Sequence, residues 1–135
     1  MSTVVRTVIV DDNREFLSAL KSFLGSLPDL ELVGEGHDGD EAVTLLERLC
    51  PDLLIVDLMM PKRSGVDVLI RVARMSRRPR VIMLTLHSAD EYRRVALGHG
   101  ADEYVCKAGL VDELPAAISR LFPAATGLVS GSFPD

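Results

Sequence analysis

Tryptophan is absent from this 135-residue chain, and there are only two cysteines, Cys50 and Cys106. Two thiols close at most one bridge and show no metal-ligand spacing, which excludes a disulfide scaffold and a zinc module. Their scarcity suits a reducing, cytoplasmic compartment. Long apolar runs are missing as well. The stretches 53–56 and 81–84 are among the longest, whereas a membrane span needs about 20 residues, so no membrane partner is expected. No basic segment followed by an apolar one opens the chain, so no secretory leader is expected. Positive charge is also short: 15 Lys and Arg against 20 Asp and Glu leave −5. Such a domain has no field of its own to hold nucleic acid.

What remains is ordinary globular composition, 47% hydrophobic and 26% charged, at a length suited to one domain. Residues 4–122 read as that domain. The Pro, Gly, Ser and Ala-rich stretch 123–135 reads as a linker or flexible tail, leaning toward an output domain beyond it.

β-rich runs alternate with amphipathic stretches five times. Residues 4–10 are apolar and β-branched and stop at Asp11-Asp12. Phe16, Leu17, Leu20, Phe23, Leu24 and Leu27 then recur at helical spacing. Residues 30–35 alternate, with Leu30, Leu32 and Gly34 on one side. A second helix from Gly39 turns Ala42, Leu45, Leu46 and Leu49 inward and ends before Pro51. The run 53–56 ends in Asp57, and a third helix from Gly65 is expected to bury Val66, Leu69, Ile70 and Ala73. The run 81–84 closes with Thr85, and a helix from Ser88 carries a thin stripe of Ala89, Tyr92, Val95 and Ala96. The strand at 103–106 closes with Lys107. The last helix is expected to begin near Asp112, with Pro115 in its first turn.

This alternation predicts an α/β fold: a doubly wound, five-stranded parallel sheet with five helices. Strands one, three and four are apolar throughout, as interior strands should be, whereas two and five look like edges. The order 2-1-3-4-5, a flavodoxin-like topology, satisfies this.

Four strands therefore end at their carboxyl edge in residues that a core would not choose: Asp11-Asp12, Asp57, Thr85 and Lys107. Ligands of doubly wound sheets bind there, where the strand order reverses. Three converging carboxylates require compensation, either by protons or by a cation. Mg2+ suits oxygen ligands and shares its shell with phosphate oxygens. Lys107 adds a fixed positive charge and Thr85 a hydroxyl donor. Such a set suits a phosphoryl group and in-line attack by a carboxylate, which yields an aspartyl phosphate. Singly, each residue has a plainer reading. Asp12 could cap the first helix, Thr85 could bond locally, Lys107 could be solvated, and the aromatic Tyr104 could simply pack. Their coincidence at one sheet edge outweighs these. The cluster Arg71, Arg74, Arg77, Arg78 and Arg80 reads as a solvated helix end rather than a nucleic-acid patch. His37, His87 and His99 show no metal spacing.

The joint pattern resembles the response-regulator receiver domain of two-component signalling. It comprises Asp11-Asp12, the segment Asp57, Leu58, Met59, Met60, Pro61 to Gly65, then Thr85, and Gly100, Ala101, Asp102, Glu103, Tyr104 leading to Lys107. The likeness runs over about residues 5–122. It implies that Asp57 is the phospho-acceptor, and that Asp12, Asp57 and the Met59 carbonyl bind Mg2+ directly while Asp11 acts through water. It further implies that Thr85 and Tyr104 form a switch pair and that Lys107 binds phosphate. The implied donor is a sensor histidine kinase or phosphotransfer protein, with homodimerisation left open. Ala108-Gly109 after the lysine, where the family often has proline, resembles receivers that precede a helix-turn-helix DNA-binding output domain and control transcription. Leu86 replaces a commonly small residue, so Met59, Leu86 and His87 are expected to narrow access to the phosphoryl group and slow its loss. A stand-alone receiver acting by protein contact is the alternative. An aspartyl phosphatase fits less well because Met59 occupies the position of its general acid, so no turnover enzyme is expected. A flavin carrier is disfavoured by the loop Asp11-Asp12-Asn13-Arg14-Glu15.

Overall fold

A computed structural model describes residues 4–86 and 90–123. Five strands, β1 (Val5–Val10), β2 (Leu30–Gly36), β3 (Leu53–Asp57), β4 (Arg80–Thr85) and β5 (Glu103–Cys106), alternate with α1 (Arg14–Gly25), α2 (Gly39–Leu49), α3 (Gly65–Val72), α4 (Asp90–Gly98) and α5 (Leu110–Leu121). A short 3-10 turn, Lys107–Gly109, leads into α5. The sheet is parallel, in the order β2-β1-β3-β4-β5, as the apolar character of the inner strands predicts. None of the described helices is long and apolar enough to cross a membrane.

Successive side chains of the inner strands point to opposite faces, which gives two cores. On one face Ile9, Leu53, Ile55, Ile82 and Leu84 meet Leu17, Leu20 and Leu24 of α1 and Leu110, Leu114, Ala117 and Ile118 of α5. On the other, Val8, Val10, Leu54, Val56 and Met83 meet Ala42 and Leu46 of α2, Val68, Leu69 and Val72 of α3, and Ala96 of α4.

Several details depart from the sequence expectation. Val95 was expected in the apolar stripe of the fourth helix but is 43% exposed, because Ala96 is the residue that α4 turns to the sheet. The alternation of β2 breaks because its pairing with β1 shifts between Thr7↔Leu32 and Val8↔Gly34. This bulge leaves Leu32 37% exposed and sends Val33 toward the α2 face. Helix α3 is rotated from the expected face: Val68, Leu69 and Val72 are buried, whereas Ile70 and Ala73 are exposed. Its start is fixed by a capping box in which Ser64 and Asp67 satisfy each other's backbone N–H, with Gly65 buried against β3. Helix α5 begins at Leu110, before Asp112, so Pro115 sits in the second turn rather than the first. Burial of Leu110 and Leu114 carries the helix through the proline. Ser88, Ala89 and the stretch 124–135 lie outside the described residues.

The arginine cluster is partly engaged in ion pairs rather than simply solvated. Arg71 pairs with Glu47. Arg78 and Arg80 reach Asp102 at 2.9 and 3.1 Å, and Asp102 also accepts the Val81 N–H at 2.8 Å. The group joins β4 to the α4–β5 connection at the sheet's amino end.

Candidate phospho-acceptor site

The carboxyl ends of β1 and β3 are adjacent, with Val10 opposite Val56, and this carries Asp11, Asp12 and Asp57 to one place. Carboxylate oxygens of the three lie within 4.8 Å of one another. Asp11 is fully buried, Asp57 is 7% exposed and Asp12 is exposed. The cleft above them, about 320 Å³, is lined by Asp11, Asp12, Asn13, Asp57, Met59, Leu86 and Lys107.

Lys107, delivered by the turn after β5, puts its Nζ 2.7 Å from Asp11 Oδ2 and 3.6 Å from Asp57 Oδ2. One ammonium does not offset three carboxylates. Burial, reinforced by the charges of Asp11 and Asp12, pushes the Asp57 carboxyl up to about 6, against the opposing pull of Lys107 and the Met59 N–H. A carboxylate cluster held this close, open to solvent through Asp12, has the chemistry of a hard-cation site. Asp11, Asp12 and Asp57 can supply oxygen ligands, and the Met59 backbone lies on the same cleft.

Thr85 and Tyr104 are brought together by pairing of β4 with β5. Both are buried, at 1% and 9% exposure, and their side chains share a hydrogen bond. Burial raises the Tyr104 phenol above its ordinary value. Tyr104 packs with Ala96 and Met83 on the α4 face, so the aromatic on this edge strand is turned inward.

The plainer reading of Asp12 as a helix cap does not hold. Asn13 caps α1, its Oδ1 accepting the Phe16 N–H at 2.9 Å. The Asn13 N–H donates to Asp11 Oδ1 at 2.8 Å. Asn13 gave a sequence signal, being a good cap residue next to the predicted helix start. Phe16 gave none beyond its place in the apolar stripe, yet its ring centroid lies 4.2 Å from Lys107 Nζ.

The β3–α3 connection is held from two sides. A Cβ on Gly65 would fall 2.6 Å from the Asp57 carbonyl oxygen and 2.8 Å from Met83 Sδ, which explains the motif glycine by close approach. A Cβ on Gly39 would fall 2.2 Å from the Arg63 carbonyl oxygen. Arg63 pairs with Asp40 at 2.7 Å, and Lys62, in the left-handed region at φ 69°, lies 3.6 Å from Asp38. Met59 and Leu86, 62% and 75% exposed, form apolar parts of the cleft rim, while His87 lies outside the described residues.

A family model described as the response regulator receiver domain matches residues 7–119. The chain belongs to the response regulator receiver family. Among its relatives, this receiver is 32% identical over 114 residues to the transcriptional regulatory protein DegU of Brevibacillus brevis, covering 84% of this chain and 48% of that protein. It thus spans about half the length of that relative. Among solved structures, the signal receiver domain of NarL from Mycobacterium tuberculosis superposes with a TM-score of 0.83 at 26% identity, covering 90% of this chain and 98% of that one. The response regulator domain of CheB from Thermotoga maritima gives 0.78 at 28%, covering 90% and 96%. The flavodoxin-like fold expected from the sequence is the fold of these receivers.

Proposed function

We propose that this receiver takes a phosphoryl group onto Asp57 from a phosphohistidine on a sensor histidine kinase or phosphotransfer protein, with Mg2+ as cofactor. The observation that carries this reading is the Asp57 carboxylate itself, set among Asp11, Asp12 and Lys107 at the mouth of a solvent-open cleft. An Asp57 oxygen attacks phosphorus in line; the P–O bond forms as the P–N bond breaks, and the electron pair returns to the donor imidazole. Lys107 offsets charge on the transferring oxygens. Asp12, Asp57 and the Met59 carbonyl would hold the ion directly and Asp11 through water, and the ion supplies charge neutralisation at the phosphoryl oxygens when bound. Thr85 would donate to a phosphoryl oxygen, and its exchange of partners would release Tyr104 to repack the surface of α4, β5 and α5, or of α1 and α5. Met59 offers no proton to a leaving group, so the chain acts as a switch rather than a turnover phosphatase.

Residues 4–122 constitute the receiver unit in this reading, and 123–135 a linker or tail. The name of the DegU relative and the half-length match support control of transcription through an output domain outside this chain, and the scarcity of cysteine suits the cytoplasm. DNA contact is left to that domain, and a homodimer is one form the response can take.

The test is intact mass after incubation with Mg2+ and acetyl phosphate. A gain of one phosphoryl group is expected, lost in Asp57→Asn and on chelation. No gain under conditions that label another receiver would overturn the proposal. In the same assay Leu86→Ala is expected to shorten the lifetime of the phosphorylated form, since Leu86 and Met59 flank the path for water.

A further inference from the structure

The residues around Lys107 form a closed ring of contacts that the acceptor chemistry by itself does not call for. Lys107 Nζ donates to Asp11 Oδ2 at 2.7 Å. The other oxygen of Asp11 accepts the Asn13 N–H at 2.8 Å, and the Asn13 side chain accepts the Phe16 N–H at 2.9 Å. Phe16 then returns its ring to the same ammonium, 4.2 Å from Nζ. The lysine side chain is 9% exposed, so its charge has lost most of its water. A four-carbon stem has many rotamers, and an ammonium fixed by one carboxylate alone could swing about that contact. An aromatic face is a second, weakly directional anchor that attracts the cation without neutralising it.

We infer that Phe16 is a positioning residue for Lys107: the first turn of α1, set by the Asn13 cap, presents an aromatic face that holds the ammonium beside Asp57 while leaving its charge available to an incoming phosphoryl group. This rests on the acceptor reading above for its kinetic consequence, but not for its geometric one. Asp11 fixes one side of the ammonium and the ring another. The 3.6 Å gap to Asp57 is then kept by the fold rather than by a direct bond to the acceptor, which leaves the acceptor oxygen free to attack.

Two readouts test it on the same three proteins, wild type, Phe16→Leu and Phe16→Tyr. The first is proton NMR of Lys107. Ring current from Phe16 should shift the Lys107 side-chain protons upfield in the wild type and in Phe16→Tyr, and the shift should vanish in Phe16→Leu. Lys107 protons at ordinary values in the wild type would overturn the inference whether or not the chain is phosphorylated. The second is the second-order rate constant with acetyl phosphate and Mg2+. It should fall about three- to tenfold in Phe16→Leu, in the range of one desolvated cation–aromatic contact, and stay within about twofold in Phe16→Tyr. The Mg2+ midpoint, followed by tyrosine fluorescence, should be the same in all three. A Phe16→Tyr rate as low as that of Phe16→Leu, an unchanged Phe16→Leu rate, or a Mg2+ midpoint moving with the rate would each show that Phe16 only packs. A wild-type chain that keeps the ring-current shift yet takes no phosphoryl group would overturn the acceptor reading alone.

Discussion

Helices α4 and α5 flank the same edge of the sheet, one on each face, and they are anchored very differently. Helix α5 buries Leu110, Leu114, Ala117 and Ile118, joined by Leu17 and Leu20 of α1 in one core. Helix α4 buries only Ala96; Tyr92 is half-buried, and Val95 and Leu97 are 43% and 39% exposed. The site divides along the same line. Lys107, Asp11 and Phe16 stand on the densely packed α1–α5 side, and the Thr85–Tyr104 pair stands on the sparsely packed α4 side. Under the proposed function, the charged group that holds its place is set beside the well-anchored helices α1 and α5. In the same reading, the pair that exchanges partners is set beside a helix with few contacts to oppose movement.

The sharpest way to break this comparison is to empty the α5 core. Leu114→Ala should destabilise the domain by about 2–5 kcal/mol, the cost of a buried cavity, as measured by urea unfolding. A loss below about 1 kcal/mol would mean that α5 is no better anchored than α4.

A second, smaller effect concerns the acidic centre between the two halves. Asp57, pushed up to about 6, holds its proton more tightly in the folded chain than in the unfolded one. Without metal, stability should therefore rise as pH falls from 7 toward 5, by roughly 1–2 kcal/mol after solvent screening. Glu35 is lowered chiefly by its hydrogen bond with Lys21, and Asp38 by the Glu41 N–H. Both have the opposite sign and act at lower pH, below the ordinary carboxylate range. Thermal melts in chelator should show the rise in the wild type and a flatter profile in Asp57→Asn. Equal slopes would place the strain of the cluster elsewhere.

The smallest effect sharpens the comparison from the other side. Val95→Ala on α4 should change stability by no more than about 0.5 kcal/mol, as for an exposed surface site. Amide exchange should be faster in α4 than in α5 in both proteins. Protection of α4 equal to that of α5 would remove the distinction between the two regions.

The strands were legible because apolar, β-branched runs ended abruptly in polar residues, and Asp57, Thr85 and Lys107 stood out as residues misplaced in a core. The site was legible for the same reason. Helix faces were less so. In α3 two overlapping stripes, Val66-Leu69-Ile70-Ala73 and Gly65-Val68-Leu69-Val72, are both apolar. The close approach of Gly65 to the Asp57 carbonyl selects the second. The start of α5 was hidden because Leu110 and Val111 follow a 3-10 turn that has no side-chain cap. The bulge in β2 left no mark, since a one-residue shift depends on the partner strand.

By itself, then, the sequence determined the α/β class, the strand order through the apolar character of the inner strands, and which polar residues meet at the carboxyl edge. Those follow from local periodicity and from a topology with few alternatives. Only the tertiary structure decided that Tyr104 turns inward onto Thr85 and that Phe16 faces Lys107. Each of these is a choice of orientation made by contacts between residues distant in the chain. No local pattern encodes such contacts, because their partners exist only once the sheet has assembled.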